Sequence, residues 1–138
     1  MKKLKSLVAQ HGVKTRPATK DSIEKLQTTL GIALSPEYAD YLASFGVIVH
    51  GANETYGLGV PDDYFLNVCA SYAELNRDPT YPRHAVPLLD IGDGHYFLYD
   101  NGAREVLQWA TPNGGIVEVL DESLETFLIH HLFEHLPK

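Results

Sequence analysis

The sequence predicts an α+β fold, in which N-terminal helices, a middle helix and a C-terminal helix pack on a mostly antiparallel sheet of about four to six strands. Apolar residues recur at helical spacing in the first half of the chain and again near its end. Residues 85–120 instead alternate short β-branched or aromatic runs with glycine-containing turns, as an antiparallel meander does. A chain of 138 residues has the ordinary size of one domain, so we predict a single domain over residues 1–138.

Start and stop signals place the first two helices. Apolar spacing predicts a short helix from Lys3 to His11, and the proline within residues 13–18 predicts a linker after it. Thr19 can cap a second helix with its side chain. That helix should end at Gly31, because glycine readily adopts the left-handed conformation that terminates helices.

The strongest helix signal is the pair Ser35-Pro36. The hydroxyl can cap the first turn, and proline is tolerated there because the N–H that it lacks would be unpaired anyway. The helix should end at Gly46. Four apolar side chains at i, i+3, i+4 and i+7 form its predicted buried stripe: Tyr38, Tyr41, Leu42 and Phe45.

The rest of the chain is predicted from shorter signals. A strand over Val47–Val49 and an extended run from Tyr56 to Val60 follow the third helix. Pro61-Asp62-Asp63 predicts the start of the middle helix, with apolar side chains at helical spacing: Phe65, Val68, Cys69 and Tyr72. Residues 76–84 read as a loop, and the final helix should begin around residues 121–123. The predicted strands of the meander are Ala85–Leu89, His95–Tyr99, Glu105–Ala110 and Ile116–Leu120.

Charge is unevenly distributed along the chain. The formal net charge is −7, yet residues 1–25 carry a net +5 and the remaining 113 residues carry a net −12. An acidic body repels nucleic acid phosphates and attracts basic partners at long range, so we expect no nucleic-acid binding. A surface that merely keeps the protein soluble is the alternative explanation of the same charge.

Three further observations bear on compartment. The single cysteine, Cys69, excludes an internal disulfide. The N-terminal lysines are not followed by the apolar segment of a signal peptide. No apolar run approaches the ~20 residues that span a bilayer. We therefore expect a cytoplasmic protein without membrane contact.

One pattern could carry metal chemistry. His131, Glu134 and His135 form the sequence H-x-x-E-H, in which two histidines on one helix face can bind zinc. Such a site needs a third protein ligand downstream, and only three residues follow His135. An exposed helix face that is rich in histidine is the simpler interpretation. No hydrolase elbow or phosphate-binding glycine loop occurs, so we expect no catalytic residue, no metal, no cofactor and no enzymatic activity.

The order and spacing of several motifs resemble the SUKH superfamily, which includes a yeast cell-wall-synthesis regulator domain and many bacterial toxin-immunity proteins. The resemblance extends over residues 19–132. Its N-terminal motifs are Leu30-Gly31, Leu34-Ser35-Pro36-Glu37-Tyr38, Leu42, Gly46 and Tyr56-Gly57-Leu58. Its C-terminal motifs are Ile91-Gly92-Asp93-Gly94, Tyr96, Asp100 and Ser123-Leu124-Glu125-Thr126-Phe127-Leu128. Phe45 and Leu124 depart from the family pattern, which leaves the subfamily open.

The resemblance implies an immunity protein that binds a cognate toxin and blocks it by occlusion. Nuclease toxins tend to be basic, so an acidic inhibitor gains complementarity and a faster association rate. A regulatory or scaffold module that binds a cellular protein is the alternative, and a metal-dependent hydrolase is the third. The candidate partner-binding residues are exposed acids and aromatics near the sheet-side loops: Glu54, Tyr56, Asp62, Asp63, Tyr64, Asp93, Asp100 and Trp109. For Trp109, core packing is the competing role.

Overall fold

The computed structural model describes residues 1–134. These residues form five α-helices, a final π-helical turn and seven strands. The helices are α1 (Lys2–Gln10), α2 (Lys20–Leu30), α3 (Pro36–Ser44), α4 (Val68–Leu75) and α5 (Leu124–Ile129), and the π-helical turn is His130–Glu134. The strands are β1 (Lys14–Thr15), β2 (Ile48–His50), β3 (Asn53–Glu54), β4 (Ala85–Gly92), β5 (His95–Asp100), β6 (Glu105–Ala110) and β7 (Gly115–Leu120).

The strands form two antiparallel sheets, which confirms the predicted α+β class. The smaller sheet has the order β1-β2-β3 and the larger one has the order β4-β5-β6-β7. Within residues 13–18, which the sequence predicted to be a linker, Lys14 pairs with Val49 and Thr15 pairs with Ile48. That linker prediction was incomplete, because this segment lies close enough to β2 to add a short edge strand.

The predicted caps determine where α2 and α3 begin. The Thr19 hydroxyl accepts a hydrogen bond from the Ser22 N–H at 3.1 Å, and the Ser35 hydroxyl accepts one from the Tyr38 N–H at 3.2 Å. Gly31 ends α2 with a φ of 66°. Side-chain oxygens at these positions satisfy N–H groups that have no partner within the helix.

Two glycines allow the chain before α2 to pack against the chain after α3. Gly46 has a φ of 70° and Gly59 has a φ of 81°. A Cβ atom would lie 1.7 Å from the Arg16 carbonyl oxygen at Gly46, and 1.9 Å from it at Gly59. Any side chain at either position would displace this backbone, so the contact requires glycine.

The core lies on both faces of the larger sheet. On one face, the aromatic stripe of α3 is buried together with α1, α5 and strand residues such as Val86 and Tyr99. The other face is covered by the end of α4 and the loop after it, in a smaller cluster. That cluster consists of Leu75, Tyr81, Ala85, Leu98, Leu107 and Trp109.

The start of the middle helix was predicted wrongly. Residues 61–67 form turns, in which the Tyr64 N–H donates to the Pro61 carbonyl at 3.0 Å. The helix begins at Val68, and the Asn67 side chain caps it by accepting from two backbone N–H groups. Phe65, which the sequence placed on a buried helical stripe, is 61% exposed. We call residues 61–67 the crossing segment.

Candidate functional site

The crossing segment forms one wall of a cleft against β3, α4, β4 and β5. A hollow of about 340 Å³ shares Tyr56, Phe65 and Asp90 with a neighbouring hollow of about 180 Å³. We call the two together the acidic cleft. The residues that define it are Glu54, Tyr56, Asp63, Tyr64, Phe65, Ser71, Glu74, Asp90 and Tyr96.

Backbone hydrogen bonds anchor the cleft on both sides. The Tyr56 N–H donates to the Leu88 carbonyl at 2.8 Å, which attaches the chain after β3 to β4. Gly57 forms a bridge with Asn67, and its carbonyl accepts from the Val68 N–H at 2.9 Å. The cleft is therefore built on the smaller sheet, the larger sheet and the first turn of α4.

Four carboxylates from four different elements line the cleft: Glu54 of β3, Asp63 of the crossing segment, Glu74 of α4 and Asp90 of β4. No lysine, arginine or histidine of the described residues lines either hollow. Four negative charges around one cleft make its potential negative, so the cleft attracts cationic groups.

Burial is the main cause of the raised pKa of two tyrosines that line the cleft, and the nearby carboxylates add to it. Burial, followed by the carboxylate of Asp90, raises the pKa of Tyr56 to about 12, and a hydrogen bond with Ser71 opposes the rise. Burial, and then Asp90 and Glu74, also raises the pKa of Tyr96. Both phenols are therefore neutral at physiological pH and can donate a hydrogen bond.

Two aromatic rings stand at the rim. Phe65 is 61% exposed and Tyr64 is 41% exposed, and their ring centroids lie 4.8 Å apart. Large apolar side chains that stay exposed beside carboxylates are typical of protein-binding surfaces, where aromatics supply much of the binding energy. Such rings also attract cations through their faces. The cleft thus combines the two groups that bind a lysine or arginine side chain.

Comparison with known proteins identifies the fold family. The model of the family SUKH_6, described as "SMI1-KNR4 cell-wall", matches residues 20–128, which is most of the chain. The chain belongs to the SUKH superfamily. The resemblance seen in the sequence motifs is thereby confirmed.

A solved structure supports the same fold for this SUKH domain. It is described as a protein from Pseudomonas syringae pv. tomato, and the two chains superpose with a TM-score of 0.76. The match covers 93% of this chain and 95% of that chain at 14% sequence identity, so it shows a common fold. No curated protein matches the SUKH domain described here.

The structure brings four of the predicted partner-binding residues together. Glu54, Tyr56, Asp63 and Tyr64 all line the acidic cleft. Asp62 is exposed on the same segment. Of these five residues, only Tyr56 belongs to a motif of the family resemblance.

Three of the predicted residues lie elsewhere in the SUKH domain. Asp93 is in the β4–β5 turn with a φ of 54°. The carboxylate of Asp100 accepts hydrogen bonds from the backbone of Gly102 and Ala103. Trp109 is 0% exposed, because the loop over residues 76–84 covers it. Trp109 therefore offers no surface to a partner, and its core role is the one observed.

Sequence reasoning did not assign Phe65, Glu74, Asp90 or Tyr96 to the site. Asp90 also supports the β4–β5 turn, because its carboxylate accepts from the Gly92 N–H at 2.8 Å. Asn67 is the residue from which the exposure of Phe65 could have been predicted. Asparagine is a strong helix cap, and a helix that begins after Asn67 leaves the preceding residues, including Phe65, in a loop.

The H-x-x-E-H pattern, which could bind a metal, begins in the final π-helical turn. His135 lies outside the described residues. His131 contacts the rings of Phe97 and Phe127, with centroids 5.2 and 5.5 Å away. Over residues 1–134 no group of three histidine, cysteine or acidic side chains is placed to hold a metal ion. The same residues contain no helix with the length and hydropathy of a membrane span.

Proposed function

We propose that this SUKH domain is a cytoplasmic immunity protein. It binds the basic domain of a cognate toxin, such as a nuclease, through the acidic cleft and blocks the toxin by occlusion, without catalysis. The acidic cleft is the observation that carries the proposal, since four carboxylates and two exposed aromatics line it, and no basic side chain of residues 1–134 does. Membership of the SUKH superfamily supports a protein-binding role in general.

The chemistry of the cleft favours a basic side chain as its occupant. A lysine or arginine that enters the cleft could pair with the carboxylate of Asp90 or Glu74, both of which line it. Its aliphatic stem would cover the ring of Phe65, which is otherwise exposed to water. Because toxins that act on nucleic acid present such cations to phosphates, occupation of the cleft would place the domain over the substrate-binding surface.

A second candidate is a regulatory module that binds a cellular protein. The wording of the family description, which refers to the cell wall, favours it. The gene neighbourhood separates the two candidates. A neighbouring gene for a large secreted protein with a variable C-terminal domain is expected for an immunity protein and not for a regulator.

The test is co-expression with that C-terminal toxin domain, followed by measurement of affinity. We expect the domain to restore growth and to bind the toxin. We expect the Phe65→Ala variant and the Asp63→Asn/Glu74→Gln double variant each to bind at least tenfold more weakly, because each removes central contacts. The matched control is Asp21→Asn/Glu24→Gln, which removes the same charge from α2 and should change affinity less than about threefold.

Different failures have different meanings. If the domain neither binds the toxin nor restores growth, the immunity function is wrong. If it does both and the cleft variants behave as the α2 control does, the function stands and the cleft is not the interface. Thermal unfolding of each variant establishes that it is folded.

A further inference from the structure

A second, larger cavity is also lined by residues of the crossing segment and belongs to neither candidate function. Its volume is about 680 Å³, which is within the ~300–1,000 Å³ range of small-molecule sites. Tyr64 and Leu66 line both this cavity and the acidic cleft.

Most of the cavity wall is apolar. Four valines and Leu66 line it. Val49 and Tyr64 are 39% and 41% exposed, and they are among the few large apolar side chains of the described residues that water reaches. Both belong to this cavity. Exposed apolar surface that is gathered in a concave site gains free energy when an apolar ligand covers it.

The charge of the cavity is opposite to that of the cleft. Lys14 and Arg16 line it together with His11 and His50, and no aspartate or glutamate does. Neither Lys14 nor Arg16 has a carboxylate within 4.0 Å among residues 1–134. Among the described residues, the only side chains of this lining that are always charged are the two cations Lys14 and Arg16, so the cavity is suited to an anion although the chain has a net charge of −7.

The backbone that carries these two cations is firmly held. Lys14 pairs with Val49 in the smaller sheet. The Arg16 N–H donates to the Phe45 carbonyl at 2.7 Å, and the Arg16 carbonyl packs against Gly46 and Gly59. Cations whose backbone is fixed before binding lose less conformational entropy when they meet a ligand.

We propose that this cavity binds a small amphipathic anion, namely an apolar chain or ring that ends in a carboxylate. The apolar part lies against Val13, Val47 and Val60, and the carboxylate pairs with Lys14 and Arg16. Arginine can hold a carboxylate through two parallel hydrogen bonds, which makes it the stronger of the two partners. The site requires no toxin and is independent of the immunity function.

Decanoate is a suitable probe, because it combines an apolar chain with one carboxylate. Binding is measured by calorimetry below the micelle concentration and mapped by the methyl NMR signals of the valines. We expect saturable binding that shifts the signals of Val13, Val47, Val49 and Val60. Acetate, which has only the carboxylate, and decyltrimethylammonium, which has the opposite charge, should each bind at least tenfold more weakly.

Two variants test the two halves of the site. Lys14→Gln/Arg16→Gln should weaken decanoate binding at least tenfold, because it removes both charge-assisted hydrogen bonds. The matched control, Lys3→Gln/Lys25→Gln, removes two exposed charges elsewhere and should leave affinity within about twofold. Val49→Phe replaces a partly exposed valine of the cavity wall with a larger aromatic side chain that fills part of the cavity. This variant should bind decanoate more weakly and should still show a thermal unfolding transition.

Four results would overturn the proposal. The first is no saturable binding of decanoate, and the second is equally tight binding of decanoate to the Lys14→Gln/Arg16→Gln variant and to the control variant. Equal binding of decanoate and decyltrimethylammonium would show that charge does not select the ligand. Shifts confined to methyl groups outside the cavity would place binding elsewhere.

Discussion

At the scale of single residues, Asp78 connects two distant parts of the chain. Its carboxylate accepts from the backbone and the hydroxyl of Thr80, both at 2.8 Å. It also accepts from the Thr111 hydroxyl and from the Asn113 N–H. These bonds attach the loop after α4 to the β6–β7 turn, and Thr80 in turn accepts from the Trp109 indole N–H.

This arrangement predicts a dependence of stability on pH. The hydrogen bonds from Thr111, Thr80 and Asn113 hold the pKa of Asp78 well below its ordinary value. A lowered pKa contributes stability that is present above the ordinary value of ~3.9 and is lost as pH falls through the folded pKa. Asp78→Asn should therefore lower the free energy of unfolding at pH 7, and the difference from wild type should shrink as the pH falls from about 5 to 3.

Urea unfolding at pH 7, 5 and 3 measures that difference. Asp62→Asn, at an exposed aspartate of the crossing segment, is the matched control. A constant difference between wild type and Asp78→Asn over this pH range would contradict the assignment.

At the scale of elements, α2 and α3 both begin with a side-chain hydroxyl cap, which is exposed in α2 and buried in α3. Thr19 caps α2 at an exposed position, so water can replace the lost acceptor. Ser35 is 4% exposed; its hydroxyl also pairs with the Tyr99 hydroxyl at 2.8 Å, and its N–H donates to the Asn101 side chain. The second cap therefore connects α3 to the larger sheet as well as starting the helix.

We predict that Ser35→Ala costs about 2 kcal/mol of unfolding free energy and Thr19→Ala about 1 kcal/mol or less. The first change leaves the Tyr38 N–H buried without an acceptor, whereas water reaches the Ser22 N–H after the second. Chemical denaturation of both variants measures the two costs. Equal costs would mean that the buried position of Ser35 adds nothing to its role as a cap.

At the scale of the whole molecule, the two charge regions of the sequence become two surfaces. The acidic cleft and the cationic cavity both involve the crossing segment, which contributes Tyr64 and Leu66 to their linings. Lys14 and Arg16 come from the basic N-terminal part, and the cleft carboxylates come from the acidic remainder. The net charge of −7 conceals this separation.

The proposed toxin complex should therefore depend on salt. Raising ionic strength from about 50 to 500 mM should slow association on the order of tenfold, with a much smaller effect on dissociation, because screening weakens long-range attraction. Stopped-flow or surface-binding kinetics measures both rates. The Asp63→Asn/Glu74→Gln variant should show a weaker salt dependence. An association rate that does not change with salt would argue against electrostatic steering.

Much of the fold follows from local signals. The limits of α2 and α3 could be predicted directly, because capping residues, glycine and proline favour helix ends in any fold. The residues concerned are Thr19, Gly31, Ser35 and Pro36. The meander strands could be predicted because glycine turns separate them. The strand β7 shows the limit of this reasoning: its apolar sequence is typical of a buried strand, yet Ile116 and Val117 are each 52% exposed. Edge position alone does not explain this, because β4 lies at the other edge of the sheet and its residues 85–89 are buried.

The residues of the candidate site could be predicted from the sequence less completely than the helices and strands. The sequence by itself determined the family, the α+β class, the helix caps and the division between a basic start and an acidic remainder, because these properties depend on local residue order and composition. Only the tertiary structure brought Glu74, Asp90 and Phe65 together in one cleft. It also left the side chain of Phe65 exposed and buried that of Trp109. Proximity between residues far apart in the chain depends on how the elements pack, and no local pattern encodes it.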